Sequence, residues 1–560
     1  MPGPFRRLLP SLIVLATLLI AACGASSGQG SSLAKDQTLT IPNVGVEDLL
    51  TLDPATVTDL NSAAAVGMIY SGLVSLDTKT LQVKPDLAQT LPTVANGGIT
   101  NNGTTYTFKI KPNIKFSNGD PVDASVLAYS IDRALDPKIK APYSTFYLGA
   151  IKGATDRNDP TKSVKTIIGT GPDAGLVVVD PTTLQINLSQ PIAYFLDALT
   201  YSTSFAVDPK IAADNPATLD PTWTDHAVGT GPFELQSWQH RVQANFVPNP
   251  NWYGQKLTLT KVIMPFVKDT QTAYTTYKAK QYDVSGFGGN IVSSANFQDA
   301  QSLPNNQLSA GPSLTINYLA TNWNVAPFDK PEVRQAFAMA VDRDALAKQT
   351  LKGSVQATDH IVPEGMPGYF AGLKGIPFSA QGAKAELQKA YPDVSKMPQV
   401  TLTYNSATPD NEAVARQLQS NFSTYLGVTV NLKSETFDNE VTDIQTFKTQ
   451  FYMIQWIADY PDAQDWLSGQ FTADSLNNDQ NFRNPQFDQL ATQADVDQTP
   501  AHRLSTYNQM EELAVDNVAW IPFDQQKNTY LVEPWVKGFS IDAGGLTPDD
   551  VWSGVTIQQH

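Results

Sequence analysis

The sequence predicts an α/β chain of several lobes, on three observations. A helix–glycine–strand unit stands in its second half, alternating strand segments stand in its first half, and its composition supplies cores for more than one compact unit. At roughly 150 residues per domain, 560 residues suggest about three or four such units. Hydrophobic residues make up 41% and charged residues 16%, a balance that fills large cores and argues against disorder.

The elements follow in chain order. Thr105-Tyr-Thr-Phe-Lys-Ile-Lys111 alternates as a half-buried strand does. Thr182 to Leu188 repeats the pattern after the turn signal Asp180-Pro181. Pro331 opens a helix where its missing N–H costs nothing; Val333, Phe337, Ala340 and Val341 share one apolar face, and Gly353 ends the run. A second helix runs from about Asp410 to Leu426, stops at Gly427, and gives on to a strand from Val428 to Lys433. A third spans Pro500 to about Asp516, with Leu504, Tyr507, Glu511 and Ala514 near one face and Met510 beside them. No internal repeat and no low-complexity block interrupts this texture. Gly171-Pro172, Gly231-Pro232 and Gly311-Pro312 are candidate joints, although such pairs occur equally in ordinary turns.

Charge and cysteine count narrow the function. With 54 Asp+Glu against 38 Lys+Arg the net charge is -16, which points away from nucleic acid. One cysteine excludes an intrachain disulfide, a Cys-based zinc site and an iron–sulfur cluster. That cysteine follows an export signal: Arg6 and Arg7, the apolar run Leu8 to Ile20, then Ala21, Ala22, Cys23 and Gly24. The run is shorter than the roughly 20 apolar residues of a membrane span, and no later segment approaches that length. Ile20-Ala21-Ala22-Cys23 resembles the bacterial lipobox, the alternative being an ordinary signal peptide. We therefore expect residues 1–22 to be a signal peptide, Cys23 to be lipidated, and residues 23–36 to form a flexible tether. The protein then works outside the cytoplasm, anchored to the membrane through lipid.

Motifs for chemistry are sparse. Gly24-Ala-Ser-Ser-Gly28 matches the nucleophile elbow but lacks its strand and helix. Gly169-Thr-Gly-Pro-Asp-Ala174 grazes the dinucleotide fingerprint, yet Pro172 and the missing helix weaken it. There is no Walker A sequence and no H-E-x-x-H, and His226, His240, His360, His502 and His560 share no metal-ligand spacing, so no metal and no cofactor is expected. Asp459, Asp462 and Asp465 cluster in Trp456-Ile-Ala-Asp-Tyr-Pro-Asp-Ala-Gln-Asp-Trp466, without the glycine and terminal glutamate of an EF-hand. The bland reading is a solvated turn around Pro461. The sharper one is a carboxylate flanked by Trp456, Tyr460 and Trp466, suited to holding an ammonium group.

A series of short motifs resembles the oligopeptide/dipeptide-binding family (family 5) of extracytoplasmic solute-binding proteins of ABC importers, over nearly the whole mature chain. It comprises Leu52-Asp-Pro54, Ile69-Tyr-Ser-Gly-Leu-Val74, Pro85-Asp-Leu-Ala88, Tyr106-Thr-Phe108, Ile114-Lys-Phe-Ser-Asn-Gly-Asp-Pro121 and Ser130-Ile-Asp-Arg133. Gly229-Thr-Gly-Pro-Phe233, Asn249-Pro-Asn-Trp-Tyr253, Pro327-Phe328, Val333-Arg-Gln-Ala336 and Ala340-Val-Asp-Arg343 follow. Asp459-Tyr460, Asn484-Pro-Gln-Phe-Asp488 and Ile521-Pro522 complete it. Each is weak alone; their order and spacing are strong.

The resemblance implies a large periplasmic-binding-protein-like flytrap with two lobes and an additional subdomain, three lobes in all. Lobe I would comprise residues 37–75, 206–315 and 526–560, lobe II residues 76–205, and lobe III residues 316–525, with ligand enclosed between lobes I and III. It also implies site residues. Asp459 would pair with a peptide's α-ammonium beside Trp456 and Tyr460, and the backbone at Ile457 would hydrogen-bond an extended peptide. Thr58 to Asn61, including Leu60, would face the ligand from the other lobe, and Gln526 falls where some relatives line the pocket with an aromatic ring. Met453 stands where some peptide binders carry an arginine for the carboxylate of a short peptide, which leaves room for longer peptides or another solute. Two alternatives stay open: Asp459 caps a helix beginning near Asp462, and Trp456 is plain core. Arg343, beside Asp342, reads as structural.

The expected function is a lipid-anchored substrate-binding component, not an enzyme and a monomer, which takes a peptide and delivers it to an ABC permease with separate ATPase subunits. The rivals are the same role with an oligosaccharide or metal chelate, an exported peptidase, and an adhesin or chemosensory co-receptor.

Overall fold

The computed structural model describes residues 32–77, 79–212, 222–288, 292–406 and 409–560. The signal segment, Cys23 and the elbow-like match at 24–28 lie outside the described residues. Three sheets, each with its own apolar core, organise three α/β lobes.

Lobe I carries a five-stranded sheet. Thr38–Thr40 and Asn43–Val44 run parallel to Lys261–Val267, which is followed by the antiparallel strands Gln243–Pro248 and Phe233–Gln239. Its core gathers Leu39, Met68, Phe233, Trp552 and Ile557 from pieces distant in sequence. Gln37 ties those pieces together: its amide donates to the Ile557 carbonyl at 2.8 Å and accepts from the Ile557 N–H at 2.9 Å.

In lobe II the expected alternating segments are the centre of a four-stranded antiparallel sheet, ordered Ile99–Thr100, Thr105–Lys109, Thr183–Asn187, Leu176–Asp180. Tyr106, Phe108, Leu184 and Ile186 share its buried face. The fingerprint-like stretch at 169–174 forms a loop before the Leu176–Asp180 strand, with no helix after it.

Lobe III has a six-stranded mixed sheet ordered Gln356–Ala357, Ile521–Leu531, Leu308–Thr321, Phe451–Ile457, Val400–Asn405, Val430–Glu435. The helix–glycine–strand unit is present as Pro409–Asn421, a π-helical turn Phe422–Leu426, Gly427 and the strand Val430–Glu435. Gly427 ends the helix at φ 71°, a left-handed conformation that costs glycine little. The helix Pro500–Asp516 buries Tyr507, Met510, Glu511 and Ala514 as its spacing predicts. The helix opened by Pro331 is shorter than expected. It stops at Met339, because Asp342 accepts from the Ala345 N–H at 3.0 Å and caps a separate turn, Arg343–Ala345. With Asp342 so engaged, Arg343 donates instead to the carbonyls of Pro522 at 2.7 Å and Ile376 at 3.0 Å, a structural role with different partners.

Several of the short motifs prove to be joints between segments. Asp53 of Leu52-Asp-Pro54 and Arg133 of Ser130-Ile-Asp-Arg133 form a buried bidentate pair at 3.0 and 2.7 Å that fastens lobe I to lobe II. Asn249 donates to the Gly231 carbonyl at 2.8 Å, and Asn251 to those of Phe116 and Ser117 at 3.0 and 3.1 Å. Gly229 packs so tightly on the end of the helix Leu60–Ile69 that a Cβ there would lie 2.0 Å from the Ile69 carbonyl oxygen. Asn484 caps Pro485–Ala494 through the N–H groups of Gln486 and Phe487.

Leu308–Thr321 and Ile521–Leu531 pair from Leu308↔Leu531 to Leu319↔Ile521 and carry the chain from lobe I into lobe III and back. Their ladder slips between Pro312 and Ile316 and again between Asn317 and Tyr318, irregularities that bend paired strands.

Candidate ligand-binding site

The strand Phe451–Ile457 pairs along its length with Leu308–Thr321, Thr315 opposite Ile457 and Ile316 opposite Trp456. On its other side only Phe451 to Met453 pair, with Leu402 to Tyr404. Residues 454–457 thus have a backbone edge without a strand partner among the described residues. Ile457 is 43% exposed and Gln455 is exposed, while Trp456, on the opposite face, is half-buried.

Past Ile457 the chain folds into a tight acidic turn. The Asp465 carboxylate accepts both the Trp456 indole N–H at 3.2 Å and the Asp459 backbone N–H at 3.1 Å. Asp462 caps the turn Ala463–Trp466 through the Gln464 N–H at 2.9 Å and binds the Arg503 guanidinium with its other oxygen. The capping role therefore belongs to Asp462, and the Asp459 carboxylate is left to face lobe II. Tyr143, Tyr147 and Tyr201 of lobe II stand within its field: burial and then the Asp459 charge push their pKa values upward. Burial raises Asp459 itself to about 6, against the opposing pull of Tyr147. Tyr147 and Tyr201 stack at 3.8 Å and 13°, and Tyr143 meets both edge-on at 6.4 and 6.5 Å.

Lobe I reaches the same place. The Tyr201 hydroxyl donates to the Val57 carbonyl at 3.2 Å, beside the exposed Thr58. Asp59 caps the helix Leu60–Ile69 with one oxygen, while its other oxygen is buried without a partner. Leu60 packs on Gly545 at the rim of a small recess lined by Gly288, Asn528, Tyr530 and Ile541. Gln526 stands on the lobe III sheet, donating to Gln455 at 2.7 Å and to Asn317 at 3.5 Å; Asn317 in turn donates to the buried Asp524 at 2.7 Å.

Tyr460 is 4% exposed and its ring enters the core of lobe II. It stacks on Tyr194 at 5.7 Å and 2°, with Phe146 and Tyr147 each 6.2 Å away. The structure thus brings Trp456, Ile457, Asp459 and Tyr460 into one turn and sets Thr58 beside it through Tyr201. Leu60 and Gln526 lie elsewhere along the lobe faces. Tyr143, Tyr147 and Tyr201 escaped the sequence reading; the only hint was the aromatic density of 143–147 and 194–201. Among the described residues no group of three or more His, Cys, Asp or Glu could hold a metal ion.

An acidic group with aromatic walls, beside an open strand edge where three lobes meet over two linking strands, is the kind of site a multi-lobed solute-binding protein carries. A family profile described as "Bacterial extracellular solute-binding proteins, family 5 Middle" matches residues 82–478, and the chain belongs to that family. It is 29% identical to the dipeptide-binding protein DppE of Bacillus subtilis (79% of each chain covered), and 25% identical to the oligopeptide-binding protein OppA of the same organism (96% and 97% covered). Its fold matches the Escherichia coli murein tripeptide binding protein MppA with a TM-score of 0.75 at 24% identity, covering 95% of this chain and 100% of that one. Among the described residues no helix is long and apolar enough to cross a membrane.

Proposed function

We propose that this chain is the substrate-binding component of an ABC importer, capturing peptides outside the cytoplasm and delivering them to a membrane permease with its ATPase subunits. It acts as a monomer anchored through lipid on Cys23, and performs no covalent step. The observation that carries the peptide reading is the placement of Asp459: a carboxylate without a cationic partner among the described residues, walled by tyrosines, two residues past the bare strand edge 454–457. An extended peptide adds to such an edge through its backbone while its ammonium meets the acid. Met453 is buried and offers no cation to a ligand carboxylate, so the C-terminus is not fixed there and longer peptides fit the site. We also infer that the lobes are divided as the motif series implies, with the two boundaries between lobes I and III falling inside the linking strands Leu308–Thr321 and Ile521–Leu531, so that Gln526 stands at the boundary on the lobe III sheet.

The test is calorimetry with a peptide carrying a free N-terminus and with its N-acetylated twin. Tight binding of the first and loss of the second supports the reading; equal affinities remove the ammonium contact, and no binding of either turns the reading to a non-peptide solute.

A further inference from the structure

Asp459 and Asp465 stand together with no cation on either. Asp465 is fully buried. One of its oxygens accepts the Trp456 indole and the Asp459 backbone N–H, which fixes the bend from strand into turn; the other is buried with no hydrogen-bond partner. The groups around the pair come from every side: Tyr147, Tyr143 and Tyr201 from lobe II, Asp462 and Tyr460 from the same turn. Arg503, the nearby cation, is bound to Asp462. Two adjacent carboxylates in a poorly solvated place do not both ionise freely; one proton, or one external cation, relieves the repulsion.

We propose that Asp465 is a positioning residue whose charge makes the empty site hold a proton with Asp459, and that a cationic ligand group expels this proton when it binds. This rests on the reading of Asp459 as the ammonium partner. The direction of the titrations agrees. Burial, then the Asp459 charge, push Asp465 well above the usual carboxylate range, and burial holds Asp459 up as well. Below the transition the pair is protonated and a cation must displace the proton, so affinity falls as pH falls. Above it the pair is ready charged and affinity levels off.

Two measurements decide it. The first needs no ligand. The Trp456 fluorescence, taken as the difference between the parent protein and Trp456→Phe, is titrated between pH 4.5 and 8, conditions chosen to bracket the usual carboxylate shifts. A transition in the parent that disappears in Asp465→Asn, which keeps an oxygen for both N–H groups, is expected; Asp459→Asn should move it downward. A flat parent signal, or the same transition in both variants, overturns the proposal. The second is binding of a peptide with a free N-terminus, followed by calorimetry in two buffers of different ionisation enthalpy. The parent should release part of a proton and lose affinity about tenfold per pH unit below its transition, whereas in Asp465→Asn, where burial alone holds Asp459 up, the fall should begin at lower pH and fewer protons should be released at the same pH. Identical pH profiles overturn the proposal. Should no peptide bind the parent, the peptide reading fails, while the fluorescence titration still decides whether the two acids share a proton.

Discussion

Substituting Asp459 by asparagine keeps the shape of the side chain and removes its charge. If it meets a buried ammonium, peptide affinity should fall by roughly 1.5–3 kcal/mol, the scale of hydrogen bonds to charged groups, as read by calorimetry. Residue by residue, the acidic turn was legible because three aspartates among three aromatic rings form an unusual local pattern. Their division of labour was not, since capping by Asp462, bracing by Asp465 and the release of Asp459 from both tasks depend on which N–H each oxygen meets. Tyr201 was illegible for a plainer reason: it comes to Asp459 only through the packing of one lobe on another.

The joints between segments dominate at the scale of elements. Arg133 and Asp53 are both buried and bound through two parallel hydrogen bonds, so removing one partner strands the other's charge. Arg133→Ala should lower stability by about 3–5 kcal/mol, seen as an earlier first transition in urea. The strands and helices were read well from periodicity, with Thr105–Lys109 and Pro500–Asp516 close to expectation. The helix from Pro331 was overextended because Asp342 acts as a cap in the middle of an otherwise favourable apolar pattern, and periodicity is blind to that competition.

Over the whole molecule, lobes II and III meet through Tyr460 and through an acidic contact. Asp197 of lobe II lies near Asp462 and Arg503 of lobe III, and burial, with the Asp462 charge adding, raises it to about 8. A carboxyl that ionises less readily in the fold than in the unfolded chain stabilises the fold least at high pH: the contribution is lost as pH rises from about 4 towards 8. Asp197→Asn should therefore raise the melting temperature at pH 8.5 and leave it nearly unchanged at pH 4, by scanning calorimetry. No short-range pattern announces such a contact. It exists because the lobes fold against one another, which is also why the three-lobed plan was readable only from the motif series taken together.

The two strands that enter and leave lobe III lie side by side, Leu308 opposite Leu531 and Leu319 opposite Ile521. A segment whose ends emerge as neighbours is a cassette: cutting both strands at one level and inserting the matching piece of a relative breaks the chain in a single ladder, and the transplant must bring its own match to the lobe II surface that receives Tyr460. Exchange of that cassette should carry the acidic grip into a new host, leaving the core of the receiving half as it was.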